Sequence, residues 1–501
     1  MTVNLYTAQQ VRELDRIAIE DHGIDGFELM QKAARFAFRT FVKQWDGCKQ
    51  IYVFCGSGNN AGDGYIFAGI AKKRGFRVSL YFISPPENLK KDALLAYQYC
   101  IENGVECLPF TKKSDAVLSA DQDMVIIDAL LGTGLNAEVS GLYKKAILLC
   151  NQSKAPTLAI DIPSGLSADT GQALGIAIEA KCTATFIGLK RGMLTARGQH
   201  YCGDIFYDDL DITENIYSQV PVDAKLLNLP TLLKNLKPRK ADMHKGQCGH
   251  VLLIGGDRGY GGAILMAAES AARIGAGLVS VATQSEHVSA LLSRQPEIMV
   301  KTVTNTGQLL PLLAKATVIV VGPGLGQSAW SEQMLLFALK SMKPIVIDAD
   351  ALNLICINPS WVLHAEHILT PHPGEAARLL GTETAIIQED RFKAVQALQK
   401  KWGGSVLLKG SGSLITHEDQ SVTVCPYGNP GMATGGMGDV LSGILGALLA
   451  QGLNKEFALE LAVCLHANAA DIAADKNGQR GLLATDVIPI ARLLLNDKPV
   501  E

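Results

Sequence analysis

Several things are scarce in this chain of 501 residues, and each scarcity excludes something. Aromatics make up only 6% of it, so its cores must be filled by small and aliphatic side chains. The 46 basic and 49 acidic residues nearly cancel, to a net charge of −3. Without a block of like charge there is no footprint for nucleic acid. No uninterrupted apolar run is long enough to span a bilayer. The best candidate, Val440 to Ala450, is too short and reads as a core helix, so no membrane is expected as a partner. Glu13, Asp15, Glu20 and Asp21 precede any long apolar stretch, which argues against a signal peptide. The eleven cysteines show no C-x-x-C pair and no zinc spacing. An odd, scattered set suits reduced thiols and a cytoplasmic location. There is also no solenoid repeat and no low-complexity segment.

Hydrophobic residues make up 48% of the chain, enough for two or more domains with ample core. Strand-like and helical patterns alternate, which predicts α/β domains with mainly parallel sheets. The first half reads as strands at Ile51–Cys55, Val78–Ile83, Met124–Asp128, Thr157–Ile160 and Ala184–Ile187. Helical patterns cover Gly62–Arg74 and Gly141–Asn151, and a helix of about Thr7 to Glu20 comes first, with Thr7 as its cap. The pattern weakens between Asn215 and His250, where Pro221, Pro230 and Pro238 break a polar stretch, and the domain boundary is placed there. The second half restarts with strands at Val251–Ile254, Leu278–Val281, Val318–Val321, Ile345–Ile347, His367–Leu369 and Ser405–Leu408. Leu414–Thr416 and Val422–Val424 read as a hairpin.

In the first half, Gly56-Ser57-Gly58-Asn59-Asn60-Ala61-Gly62-Asp63-Gly64 follows a strand and opens a helix. Open α/β sheets bind ligands at such carboxyl ends. The glycines suggest a close phosphate, yet the P-loop lysine and the dinucleotide spacing are both missing. Asp128 ends the next strand and leads into Gly132-Thr133-Gly134. Asp161 ends the one after and leads into Ile162-Pro163-Ser164-Gly165. Asn60, Asp128 and Ser164 can together offer oxygen ligands to a hard cation, and Asp161 is a candidate general base. A single strand-end Asp is more often a cap or turn former, but three on one edge favour a site.

In the second half, the stretch Gly431-Met432-Ala433-Thr434-Gly435-Gly436-Met437-Gly438-Asp439 leads into the apolar run. It puts free N–H groups and one carboxylate at a helix N-terminus. A carboxylate there repels a bound phosphate, so its chemical reading is proton removal from a hydroxyl about to meet a phosphoryl group. The plain reading is a Gly-rich turn capped by Asp439. Gly255-Gly256-Asp257, Gly322-Pro323-Gly324, Thr370-Pro371-His372-Pro373 and Lys409-Gly410-Ser411-Gly412-Ser413 also follow strands and should converge on one edge. Lys409 can hold nucleotide phosphates. Two prolines fix the backbone of His372 and suit an exposed, held side chain. His364, His367, His417 and His466 read as structural, and Asp348 and Asp350 as turn or supporting residues.

These segments are specific in combination. Residues 56–64, 128–135 and 161–166 resemble the NAD(P)H-hydrate epimerase domain. Residues 322–326, 370–375, 409–413 and 435–439 resemble the NAD(P)H-hydrate dehydratase domain, a relative of ribokinase-type sugar kinases. The resemblance covers nearly the whole chain in the order of the fused repair enzymes. It implies a Rossmann-like parallel sheet with helices on both faces at 1–220 and a ribokinase-like α/β domain at 221–501. It further implies epimerisation of R and S hydrates of NADH and NADPH, and dehydration of the S form with ADP, giving AMP and phosphate.

Carried over by position, Asn59, Asn60, Ala61, Gly62 and Asp63 would hold the hydrate in the first domain. So would Gly132, Thr133, Gly134, Leu135, Asn136, Ala137 and Glu138. Asp161 would bind it and act as acid/base, assisted by Lys190, while Asn60, Asp128 and Ser164 would bind K⁺. In the second domain Ala263, Gly324, His372 and Asp439 would contact the hydrate, with Asp439 as base. Lys409, Gly410, Ser411, Gly412, Ser413 and Gly438 would hold the nucleotide. Gly435, Gly436 and Met437 would offer N–H groups to the transferring phosphate, and Mg²⁺ would bridge the phosphates. Alanine at 61 departs from the family's usual glycine and is tolerable only if φ there is negative. No residue selects ADP over ATP. Ala/Gly-rich helical surfaces permit tight self-association, so a homo-oligomer is expected. Two other readings stand beside this one: a small-alcohol kinase, which would leave a stable phosphorylated product, and a non-catalytic ligand-binding scaffold.

Overall fold

The computed structural model describes residues 3–112, 114, 118, 123–496 and 498. The chain divides into two compact units, Asn4–Ala224 and the chain from Lys225 onward.

The first unit holds a seven-stranded sheet, in the order Cys107–Pro109, Arg77–Phe82, Gln50–Cys55, Met124–Ala129, Thr157–Ile160, Cys182–Phe186, Asp204–Asp208. Every neighbouring pair is parallel. The central strands are buried along almost their whole length, which is why they read as unbroken apolar runs. The strand order reverses between Gln50–Cys55 and Met124–Ala129, and there the loops diverge and leave a crevice. The first helix spans Ala8–Arg16 under a reciprocal cap of Thr7 and Gln10. It then loosens into a π-helical turn, Ile17–Asp21, where the sequence pattern predicted one helix to Glu20. The short strand before it pairs Tyr6 with Lys190, so the N-terminal helix starts close to the strand ends. The strand Asp204–Asp208 was missed because its apolar run is only three residues long between two aspartates and is only partly buried.

The second unit's sheet runs Met299–Thr302, Leu278–Thr283, His250–Ile254, Val318–Val321, Ile345–Ile347, His367–Leu369, Ser405–Leu408, Ser413–Thr416, Val422–Cys425. The strands are parallel through Ser405–Leu408, and the last two turn antiparallel as the predicted hairpin. Met299–Thr302 is a largely exposed edge strand, which hid it from the apolar pattern. The helix Met437–Ala450 lies against the helix Gly261–Ile274. A Cβ on Gly443 would sit 2.0 Å from both the Ala267 carbonyl oxygen and Ser270 Oγ, so the two helices meet there with no room for a further side chain. The expectation that Val440–Ala450 is the best candidate to span a bilayer, and too short, is corrected: among the described residues one helix, Lys455–Asn477, is long and apolar enough by length and composition to cross one. Most of it is buried in this unit's core, against residues such as Leu445 and Val487.

Candidate functional site

In the first unit a cleft of about 520 Å³ opens at the point where the strand order reverses. Asn59, Asn60, Asp63, Gly132 to Asn136 and Asp161 line it, as the motifs predicted. Ala61 and Gly62 lie behind the wall, and Ala137 and Glu138 lie beyond it. Ala61 is fully buried in the helix Asn59–Lys73 and its φ is not positive, so alanine fits where the family often has glycine. Most of the loop's glycines answer to protein and not to phosphate. A Cβ at Gly56 would lie 1.9 Å from the Leu130 carbonyl, one at Gly62 2.5 Å from Met30 Sδ, and one at Gly64 2.5 Å from Ala129 Cβ. That corrects the phosphate reading of these three positions. Gly58, by contrast, faces open space.

Asp161 has φ +69°, a region that non-glycine residues rarely enter and that costs of the order of 1–3 kcal/mol. Its carboxylate is ion-paired to Lys190, which is fully buried and also bonds the Thr185 hydroxyl at 2.8 Å. Gly132 stands over this pair: a Cβ there would be 3.2 Å from Asn60 Cβ and 3.6 Å from Asp161 Oδ2. Two further carboxyls face the group. Burial, then the charge of Asp161, pushes Asp15 up to about 7. The same causes, with Asp15 added, hold Asp63 well above the usual carboxylate range. Asp15 and Arg12 are lining residues that the sequence reading missed as site residues, since a helix ahead of the sheet carries no strand-end signal.

Beside the cleft, Asp128 is completely buried and accepts hydrogen bonds from the Ser164 N–H at 2.8 Å and the Ser164 hydroxyl at 2.6 Å. Burial raises it to about 6 despite those bonds. No cation pairs with it among the described residues. Asn60 Nδ2 and Ser164 Oγ both donate to the Leu131 carbonyl. Asn60 Oδ1 is buried with no hydrogen-bond partner among the described residues. A buried unpaired anion, an orphaned amide oxygen, a hydroxyl and a carbonyl are the donor set a K⁺ ion takes.

In the second unit the helix Met437–Ala450 begins at Gly436, whose φ is +94°. Asp439 lies in its first turn. Burial, then repulsion from Asp348, raises it to about 7, against the opposing pull of Lys409. Lys409 Nζ donates to Asp348 Oδ1 at 2.8 Å and lies 4.0 Å from Glu375. Asp348 also accepts from the Ser442 hydroxyl at 2.7 Å. Burial opposes its charge, yet Lys409 and these hydroxyls keep it below the usual carboxylate range. A Cβ on Gly438 would lie 3.2 Å from Lys409 Nζ and 3.5 Å from Asp348 Oδ2, so the helix N-terminus faces the ion pair directly. Asp348 therefore belongs to the site, more than the sequence suggested. Asp350 opens the helix Asp350–Ile357 and supports the Gly326 loop, accepting from the Gly326 N–H.

His372 caps the helix Pro373–Leu380: its Nδ1 accepts from the Gly374 N–H at 3.0 Å, which puts the proton on Nε2. Burial, then Lys409, holds it below the usual imidazole range. Its side chain is 52% exposed, so it is held and accessible at once. Ala263 and Gly324 adjoin, since a Cβ at 324 would be 3.2 Å from Ala263 Cβ. The turn after Lys409 rests on the buried guanidinium of Arg391, which donates to the Leu408 carbonyl. Gly410 and Ser411 are exposed on its outer side, as is Gly435, where a Cβ would meet nothing. His466 is nearer the site than expected: burial, then Lys409, lowers it to about 4. Among the described residues no three His, Cys, Asp or Glu side chains are arranged to hold a metal ion.

The architecture and these two sites define the class: a two-unit α/β enzyme whose second unit follows the ribokinase-like plan. A ribokinase-like superfamily protein of Enterococcus faecalis is 32% identical, with a TM-score of 0.51, covering 54% of this chain and 95% of its own. A family profile described as NAD(P)H-hydrate dehydratase matches residues 251–492. One described as YjeF-related protein N-terminus matches residues 26–192. The bifunctional NAD(P)H-hydrate repair enzyme Nnr of Coxiella burnetii is 46% identical over 496 residues, spanning 99% of this chain and 100% of its own length. The enzyme of that name from Escherichia coli is 40% identical over 497 residues, spanning 99% and 95%. The chain belongs to the family of bifunctional NAD(P)H-hydrate repair enzymes.

Proposed function

We propose that this chain restores hydrated nicotinamide nucleotides: the unit Asn4–Ala224 interconverts the R and S hydrates, and the unit from Lys225 dehydrates the S form with ADP. The observation that carries this reading is Asp439, an aspartate raised to about 7 at the mouth of a buried helix. Hydroxide is a poor leaving group, and phosphate is a good one. Asp439 takes the hydroxyl proton, and the oxygen attacks the terminal phosphorus of ADP as AMP departs. The N–H groups of Gly435, Gly436 and Met437 receive the developing charge, and Lys409 with the Gly410–Ser413 turn holds the nucleotide. The lone pair of the ring nitrogen then expels phosphate, and loss of a proton from the neighbouring carbon restores the ring. Mg²⁺ bound with the nucleotide would supply charge neutralisation at the phosphates, and among the described residues no cluster of side chains is arranged to hold it.

In the first unit, Asp161 serves as acid/base and Lys190 keeps it ion-paired. Gly132 to Asn136 and Asn59 cradle the hydrate, and Asn60, Asp128, Ser164 and the Leu131 carbonyl would hold K⁺. The test is recovery of reduced-nicotinamide absorbance from an R/S hydrate mixture, with ADP and ATP in parallel and phosphate counted. Full recovery with one phosphate per ring restored supports both activities. Recovery of the S fraction alone removes the epimerase. No recovery with either nucleotide turns the reading to a small-alcohol kinase.

A further inference from the structure

The epimerising step at the carbon that bears the hydroxyl makes a demand that one acid/base group does not meet. The hydroxyl must leave from one face of the ring and water must return to the other. Departure needs a proton donor, and return needs a proton acceptor. Asp161 is tied to the buried ammonium of Lys190 and so suits the acceptor.

The cleft holds two other carboxyls, Asp15 and Asp63. Neither makes a hydrogen bond or an ion pair among the described residues. Asp63 is only 9% exposed and lies near the start of the helix Asn59–Lys73. Asp15 stands on the separate N-terminal helix and is the more open of the two. The charged and titratable groups around Asp15 are Asp63, Asp161 and Lys190, with Arg12 on its own helix and Asp92 on the cleft wall. Three carboxyls share one buried cation. The two left over are penalised as anions, and a neutral carboxyl is a donor.

Building on the epimerase reading above, we propose that Asp15 is a second acid–base group of this site, protonating the departing hydroxyl while Asp161 accepts the proton of the returning water. The carbon–oxygen bond breaks as the ring nitrogen's lone pair forms a carbon–nitrogen double bond, and the hydroxyl leaves as water with the Asp15 proton. Water then adds to the opposite face, gives its proton to Asp161, and returns the electron pair to nitrogen. A proton passing from Asp161 back to Asp15 closes the cycle. In the reverse direction the two carboxyls exchange roles. Its titration near neutrality suits Asp15 to both.

The experiment follows conversion of pure R hydrate to S hydrate by the full chain without nucleotide, across pH. Dehydration of S hydrate with ADP serves as the folding control. Asp15→Asn should lower epimerisation kcat by about 10²–10⁴-fold, with KM for the hydrate little changed and dehydration intact. The limb of the pH profile near 7 should vanish. Asp15→Glu should recover part of the rate and the limb. Wild-type rate and pH profile in Asp15→Asn would overturn the proposal while leaving the epimerase assignment standing. A wild-type chain that epimerises nothing would remove both.

Discussion

The two units use the same parts in different ways. Each has a lysine ion-paired to a strand-end aspartate, the buried Lys190 with Asp161 and the partly buried Lys409 with Asp348. Each has a further carboxyl pushed toward neutrality nearby, Asp15 in one and Asp439 in the other. In the first unit the lysine holds the aspartate that points into the cleft. In the second it holds an aspartate behind the helix N-terminus and leaves Asp439 without an ion-pair partner among the described residues. A paired carboxyl keeps its charge, and an unpaired buried one keeps its proton until something takes it. The base proposed above is thus the lysine's own partner in the first unit and, in the second, the carboxyl that its lysine leaves unpaired. Phosphoryl transfer also needs that lysine close to anionic oxygens, which epimerisation does not.

The comparison breaks most visibly at the bases. Asp439→Asn should lower dehydration of S hydrate by about 10²–10⁴-fold and leave epimerisation unchanged, with Asp161→Asn doing the reverse. A shared loss from either single change would undo the division of labour. Next come the lysines. Lys190→Met leaves Asp161 facing two other carboxyls with no cation, and breaking such a pair costs about 3–5 kcal/mol. Thermal unfolding should register a smaller loss for Lys409→Met, because Asp348 keeps the Ser442 hydroxyl.

The pH profile sharpens the contrast. Asp439 must be ionised to act as base, so dehydration kcat should rise through about pH 7. Lys409 pulls Asp439 down, so Lys409→Met should move that limb to higher pH. An unmoved limb would mean that another group sets it. The smallest effect concerns the cation. Replacing K⁺ by Li⁺ should slow epimerisation alone. Ser164→Ala, which removes a hydrogen bond to a buried carboxylate worth about 1.5–3 kcal/mol, should weaken K⁺ dependence by about tenfold or more. A dehydration rate that followed K⁺ instead would place the ion elsewhere.

What was legible in the sequence was mostly what lies at strand ends. Apolar runs locate buried parallel strands, and a polar or glycine-rich segment after such a run falls on the ligand edge. That logic found Asn60, Asp128, Asp161, Ser164 and Asp439. It failed where packing and not sequence distance brings groups together. Asp15 appeared only as one charge in an acidic stretch; nothing in the spacing says that this helix lies over the cleft. Asp348 looked like a turn former because its partner, Lys409, is 61 residues away. Glycines 56, 62 and 64 share their pattern with phosphate loops, but their neighbours are Leu130, Met30 and Ala129. The short, partly buried strand Asp204–Asp208 and the exposed edge strand Met299–Thr302 lacked the burial that makes a strand visible.

The contact at Gly443 has a mechanical consequence. Gly443 sits one turn below Asp439 on the same helix face, about 6 Å along the axis. Side chains between helices act as springs, since rotamers can shift to absorb an error. Backbone against backbone is a hard stop. Asp439 is therefore located by a rigid seat and not by the average of many soft contacts. One added methyl at the seat, Gly443→Ala, must tilt or lift the whole shaft. A displacement near 1 Å at the reacting group can cost about 10²-fold in rate. An atom that touches no ligand thus sets the tolerance to which the reaction is machined.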